Sequence, residues 1–132
     1  MRRRAVLAVV SAVVVGLAVA GCGGGGESGD FGSADTTTGK RLFQEKCGSC
    51  HTLADAGTRG QVGPNLDDGL GYAKQQGFEE STLYEVVLGQ IHIPNEHGAM
   101  PANIVTGDDA VDVAAYVAKA AKQPPGGEAA SR

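Results

Sequence analysis

Residues Cys47-Gly48-Ser49-Cys50-His51 put two thiols three positions apart, with an imidazole directly behind the second. Thiols at that spacing can add as thioethers across the vinyl groups along one edge of a porphyrin, and the adjoining histidine is then held beneath the iron. The pattern predicts a c-type haem bound through Cys47 and Cys50, with His51 as proximal iron ligand. Two other chemistries use paired cysteines. A redox disulfide wants a βαβ surround, and nothing near Cys47 reads as strand. A structural zinc site needs a fourth ligand and a second cluster, yet the one remaining cysteine is Cys22.

A six-coordinate iron needs a second axial ligand. Apart from Met1 the chain has a single methionine, Met100, in Ala99-Met100-Pro101. A thioether favours ferrous over ferric iron, so Met/His ligation raises the potential. A lone methionine is commonly a flexible core filler, but an irregular segment bracketed by prolines is a poor place for a packing stripe. His97 and then His92 are the rivals. Bis-histidine ligation would lower the potential, and both histidines otherwise read as solvated loop residues.

The elements that must position these groups are helical. Thr37 or Thr38 can cap a first helix, on which Leu42, Phe43 and Cys47 recur at helical spacing. Asp55 to Asn65 is rich in Gly and Pro and reads as a loop. Ser81 caps a middle helix carrying Leu83, Val86, Val87, Gln90 and Ile91. Ile93 to Val105 is irregular. Thr106-Gly107-Asp108-Asp109 opens a last helix whose one face is Ala110, Val113, Val117 and Ala121. No segment alternates as a strand does. The expected fold is all-α, three to four short helices wrapped around one covalently bound haem. The haem would complete a core that these few apolar side chains are too few to build alone.

Together, Gly39-Lys40-Arg41-Leu42-Phe43, the Cys47–His51 motif, Gly63-Pro64-Asn65-Leu66, Met100-Pro101 and a last helix bearing Tyr116 resemble class I cytochrome c. Their order and spacing cover nearly the whole folded unit. The resemblance implies that Gly39 and Phe43 meet Tyr116 where the first and last helices cross near a right angle, glycine permitting the approach. It also implies that the Pro64 carbonyl accepts the Nδ1–H of His51, which fixes the tautomer and strengthens the ligand, and that Leu66 packs on the proximal haem face. The chain departs from mitochondrial members in its short stretch between Leu66 and the middle helix and in having no tryptophan. The tyrosine that lies near the methionine sulfur in that group aligns with Val86, and Tyr84 falls on another face. A small bacterial cytochrome is the better comparison.

Met1-Arg2-Arg3-Arg4 and the apolar run to Ala20 read as an export signal, marginal in length for a membrane span. Val19-Ala20-Gly21-Cys22 resembles the lipobox of bacterial lipoproteins, which implies a lipidated Cys22 at the mature N-terminus. An uncleaved anchor, or a cleavage site beside an unused thiol, are the alternatives. Two or more acyl chains anchor stably. The expected organisation is residues 1–21 as signal peptide, 22–38 as lipidated cysteine and flexible Gly-rich tether, 39–122 as the cytochrome domain and 123–132 as a loose tail.

Removing Arg2, Arg3 and Arg4 from 11 basic residues leaves eight against 15 acidic ones, a side-chain charge of −7. That argues against nucleic acid, whose phosphates need a basic footprint. Asp67-Asp68, Glu79-Glu80 and Asp108-Asp109 could face a basic partner or serve as solvated acids at helix starts. The function expected is a membrane-tethered, non-enzymatic monohaem carrier on the extracytoplasmic face of the bacterial cell membrane. It would pass single electrons between redox proteins such as a quinol-oxidising complex and a terminal oxidase. The alternative is a haem-based sensor or peroxidase-like enzyme with an open sixth position, where His97 or His92 would be the distal base.

Overall fold

The computed structural model describes residues 30–122. The expected signal peptide, the lipidation expected at Cys22 and the expected tail beyond Lys122 lie outside these residues.

The first helix, α1 (Thr36–Lys46), starts three residues before the boundary expected at Gly39. Its cap is Asp35, not Thr37 or Thr38. The Asp35 carboxylate accepts the amides of Thr37 and Thr38 at 2.8 and 3.2 Å and the Thr38 hydroxyl at 2.9 Å. An anion suits the positive end of a helix better than a hydroxyl does. The same bonds, led by the Thr38 amide, hold its carboxyl below the usual value. The residues ahead of the cap are folded too. Phe31 stacks against Tyr84 at 5.3 Å between ring centroids, with the Lys119 ammonium 4.6 Å from its ring. Any tether therefore ends before Asp30, because Phe31 brings an aromatic payload to bury.

After the Cys47–His51 motif a two-residue hairpin forms, β1 (Thr52–Leu53) pairing antiparallel with β2 (Thr58–Arg59). Its turn uses Gly57 at φ 70°, a left-handed conformation open to glycine. Strands this short leave no alternation in the sequence. A π-helical turn, Asp67–Gly71, then runs straight into α2 (Tyr72–Gln75). The glycines in Asp67-Asp68-Gly69-Leu70-Gly71 hide any helical period there.

Helix α3 (Glu80–His92) buries Leu83, Tyr84, Leu88 and Ile91. Ser81 lies inside its first turn; the capping position is Glu79, which makes no side-chain capping bond. Residues 93–105 are irregular, as expected. Helix α4 (Gly107–Ala120) starts after Thr106, whose hydroxyl makes no capping bond. It is the centre of the core: eight of its residues are buried, including Val113, Ala114 and Val117. Helices α1 and α3 both pack on it.

The contact of α1 with α4 depends on Gly39. A Cβ there would run into the Asp112 carbonyl oxygen and lie 2.8 Å from the Tyr116 Cβ. One turn on, the rings of Phe43 and Tyr116 meet at 6.0 Å with 60° between planes, an edge-to-face-like pairing favoured by aromatic quadrupoles. Tyr116 is tied in further: its hydroxyl donates to Asp55 Oδ1 at 2.7 Å, and Lys40 Nζ reaches the same oxygen at 3.1 Å. One expectation about the surface is overturned. Asp67 is buried at 3 % exposure, so Asp67-Asp68 is not an exposed acidic pair.

Candidate haem cleft

Helix α1 delivers Cys47 at its C-terminal end, where the Cys47 amide still donates to the Phe43 carbonyl at 2.9 Å. The next turn is tight: the amides of Cys50 and His51 both donate to the Cys47 carbonyl at 3.0 Å. This turn brings both sulfurs and the imidazole to one cleft of about 440 Å³. No disulfide joins Cys47 to Cys50. Burial, and then the neighbouring Cys50, push the Cys47 thiol up to about 11. Disulfide oxidoreductases depress that value to make a thiolate, so the environment is the wrong one for a redox dithiol.

His51 is oriented from behind. Its Nδ1 donates to the Pro64 carbonyl at 3.0 Å, which leaves Nε2 as the free nitrogen. The ring lies flat against Gly63, where a Cβ would come 2.7 Å from Nδ1. Gly63 is held in turn, its amide donating to the Cys50 carbonyl at 2.8 Å. A donor bond from proximal nitrogen to carbonyl is the outer support that raises a ligand's basicity.

Met100, half-buried, lines the same cleft from the segment between α3 and α4. The two rival histidines do not. His92 Nδ1 bonds Asn103 Oδ1 at 3.0 Å, while His97 is 88 % exposed beside Glu96. The walls are apolar: Leu66 and Leu70 from the segment after Pro64, Val87 and Ile91 from α3, and Val113 and Val117 from α4. Val86 also lines the cleft, whereas Tyr84 is buried against Phe31 on another side of α3. Few polar side chains border it, Lys46, Gln90 and Asn95 among them. Among the described residues no three His, Cys, Asp or Glu side chains gather to hold a metal ion. An apolar slot with two thiols, one backed imidazole and one thioether fits a flat, apolar iron porphyrin.

A family model for cytochrome c matches residues 36–121. The chain belongs to the cytochrome c family. It is similar to the crystal structure of the c-type cytochrome SorU from Sinorhizobium meliloti, at 33% identity over 67% of this chain and 92% of that one, with a TM-score of 0.50. The cofactor of this cytochrome is covalent haem c with its iron, and its fold is the four-helix, nearly strand-free arrangement of the family. Cytochromes c carry electrons, and this cleft is built for the group that does so.

Sequence reasoning found the cleft's sulfurs, imidazole and thioether but missed two contributors. Leu70 enters through the unexpected π-helical turn, and Asp67 anchors that turn from inside. The only signal for either was the apolar Leu66 and Leu70 at an i, i+4 spacing, broken by glycine.

Proposed function

We propose that the protein is a class I, monohaem electron carrier in which Cys47 and Cys50 form the haem thioethers, His51 is the proximal iron ligand and Met100 the distal one. When bound, the haem supplies a one-electron Fe(II)/Fe(III) couple. The chain's own residues do the rest. Pro64 holds the His51 tautomer, Leu66 would pack against the bound haem, and the apolar walls would keep water from it, which would lower the reorganisation that electron transfer requires. The observation that carries this reading is the cleft's donor set: His51, oriented by Pro64, shares it with Met100, while His92 and His97 are engaged elsewhere.

Electron transfer without catalysis is favoured by what borders the cleft. Its titratable lining groups are Lys46, Cys47, Cys50 and His51. A peroxidase-like enzyme or gas sensor would need distal acid–base groups near an open position, and neither rival histidine lines the cleft.

The setting of the carrier is part of the same proposal. Export and lipidation at Cys22 would tether it to the extracytoplasmic face of the cell membrane, serving a quinol-oxidising complex as donor and a terminal oxidase as acceptor. The lipobox-like Val19-Ala20-Gly21-Cys22 supports this. Optical spectra of the full-length protein test the ligand assignment. A c-type spectrum with the long-wavelength ferric band of methionine-sulfur ligation is expected. A c-type spectrum lacking that band, with ready carbon monoxide binding, would overturn it in favour of the sensor or enzyme.

A further inference from the structure

Asp67 is the one charged side chain buried among the described residues, at 3 % exposure. No cation pairs with it; its partners are backbone amides. Oδ2 accepts from Ala54 N at 2.6 Å and Oδ1 from Lys122 N at 3.0 Å, across 13 and 55 residues of sequence. Its own amide donates to Asn65 Oδ1 at 3.0 Å. Burying a carboxylate without a counter-ion is costly, so two charge-assisted bonds must fix something that a neutral residue would leave loose.

What they fix follows from position. Ala54 lies three residues beyond His51, and Asp67 three residues beyond Pro64. The two chain segments therefore run side by side, joined first at Gly63 N–Cys50 O, then at His51 Nδ1–Pro64 O, then at Ala54 N–Asp67 Oδ2. The His51–Pro64 bond is the middle rung, and Asp67 closes the seam on its far side. Through Lys122 the same carboxylate clamps the end of α4, whose Val113 and Val117 wall the cleft.

We propose that Asp67 is a positioning residue for the proximal ligand: its buried carboxylate, by gripping the Ala54 and Lys122 amides, keeps the Pro64 carbonyl on His51 Nδ1. This inference rests on His51 being the iron ligand. Asn in place of Asp67 keeps one oxygen acceptor and turns the other into an NH₂ group facing an amide N–H, so one of the two grips must open. Losing a bond to a charged group of this kind raises the frequency of opening by about tenfold.

The test is proton exchange at His51 Nδ1, followed by NMR in the haem-loaded, full-length cytochrome. In D67N the Nδ1 proton should exchange about tenfold faster than in the parent protein. D109N removes the same charge from an exposed side chain at the start of α4 that makes no bond to the seam, and should leave that rate unchanged, which separates positioning from simple loss of charge. An unchanged Nδ1 rate in D67N, with the Ala54 or Lys122 amide released, would overturn the proposal and leave Asp67 a structural pin. If D67N fails to mature, the parent protein still decides. The Ala54 and Lys122 amides should exchange together with the Nδ1 proton, and independent, faster exchange there sinks the idea. Absence of hyperfine shifts on the His51 ring in the ferric parent would instead remove the ligand assignment itself, and this inference with it.

Discussion

The two sides of the cleft are held in different ways. Around His51 the chain is stitched across itself: Gly63 to Cys50, Pro64 to His51, Gly60 to the Thr52 hydroxyl at 2.9 Å, and Asp67 to Ala54. Around Met100 the bonds stop short of the ligand. Asn103 N donates to the Ile91 carbonyl at 2.8 Å and its side chain meets His92, but Gly98 and His97 reach only near neighbours, Asn95 and, for His97, Glu96. Pro101 has no N–H to give. Most of residues 93–103 is exposed, Ile93 at 80 %. On the proposed ligation, the protein places His51 before haem binds, whereas Met100 would depend more on its own bond to iron. The distal side is therefore where ligation should open first.

The largest effect should come from the stitched side. In H51A the Pro64 carbonyl loses its donor and, on the proposed ligation, the iron would lose its proximal ligand. The expected outcome is failure to mature, read as loss of the covalent c-type haem spectrum from the expressed protein. Normally matured, six-coordinate H51A would show that the cleft does not depend on this imidazole.

M100A attacks the looser side and should do less. Covalent haem is retained, because Cys47, Cys50 and His51 are untouched. The ferrous iron should bind carbon monoxide, and the potential should fall, since a thioether that favours Fe(II) is gone. Met100 is only half-buried, so truncation should cost the fold about 2 kcal/mol, the low end for a methionine-to-alanine change, measured by denaturant unfolding. Parent-like ligand binding and potential in M100A would remove the contrast between the two sides.

How much of this was legible beforehand depended on range. The Cys47–His51 motif, the apolar face of α4 and the Gly39–Phe43–Tyr116 contact are written in local spacing, or in a family pattern carried by local motifs, and each sits where that reading places it. The irregularity of 93–105 was equally plain from its prolines. Beyond the short hairpin, the π-helical turn and the start of α3, three features were not legible. Asp35 displaced Thr37 and Thr38 as cap because a carboxylate can take two amides and a hydroxyl at once. Phe31, in a stretch otherwise poor in apolar residues, found its seat on Tyr84 and Lys119, residues more than fifty positions away. Asp67 looked like one half of a surface acidic pair, since nothing near it in sequence announces that the Ala54 and Lys122 amides converge on it. Each of these three is a long-range contact or a competition between neighbouring caps.

The smallest effect expected is also the most selective. Tyr116 reaches from α4 to Asp55, in the turn between β1 and β2, and so adds a peripheral tie to the stitched side alone. Y116F removes that bond while keeping the ring against Phe43. Asp55 is 42 % exposed, so solvent screens the interaction and the loss at pH 7 should be no more than about 1 kcal/mol. The pH dependence has a definite sign. The Tyr116 hydroxyl first, and then Lys40, hold the Asp55 carboxyl below its ordinary value. A depressed carboxyl contributes stability above its unfolded value, about 4, and loses it as pH falls through the folded value. The gap between parent and Y116F should therefore be full at neutral pH and shrink below about pH 4 as Asp55 takes a proton. At the other extreme, burial and the bond to Asp55 push the Tyr116 hydroxyl up, so the gap should also close as strong alkali ionises the phenol. Hydrogen exchange should quicken between Thr52 and Arg59 and stay unchanged between Ile93 and Val105. Equal quickening in both segments would mean that the two sides of the cleft are one mechanical unit.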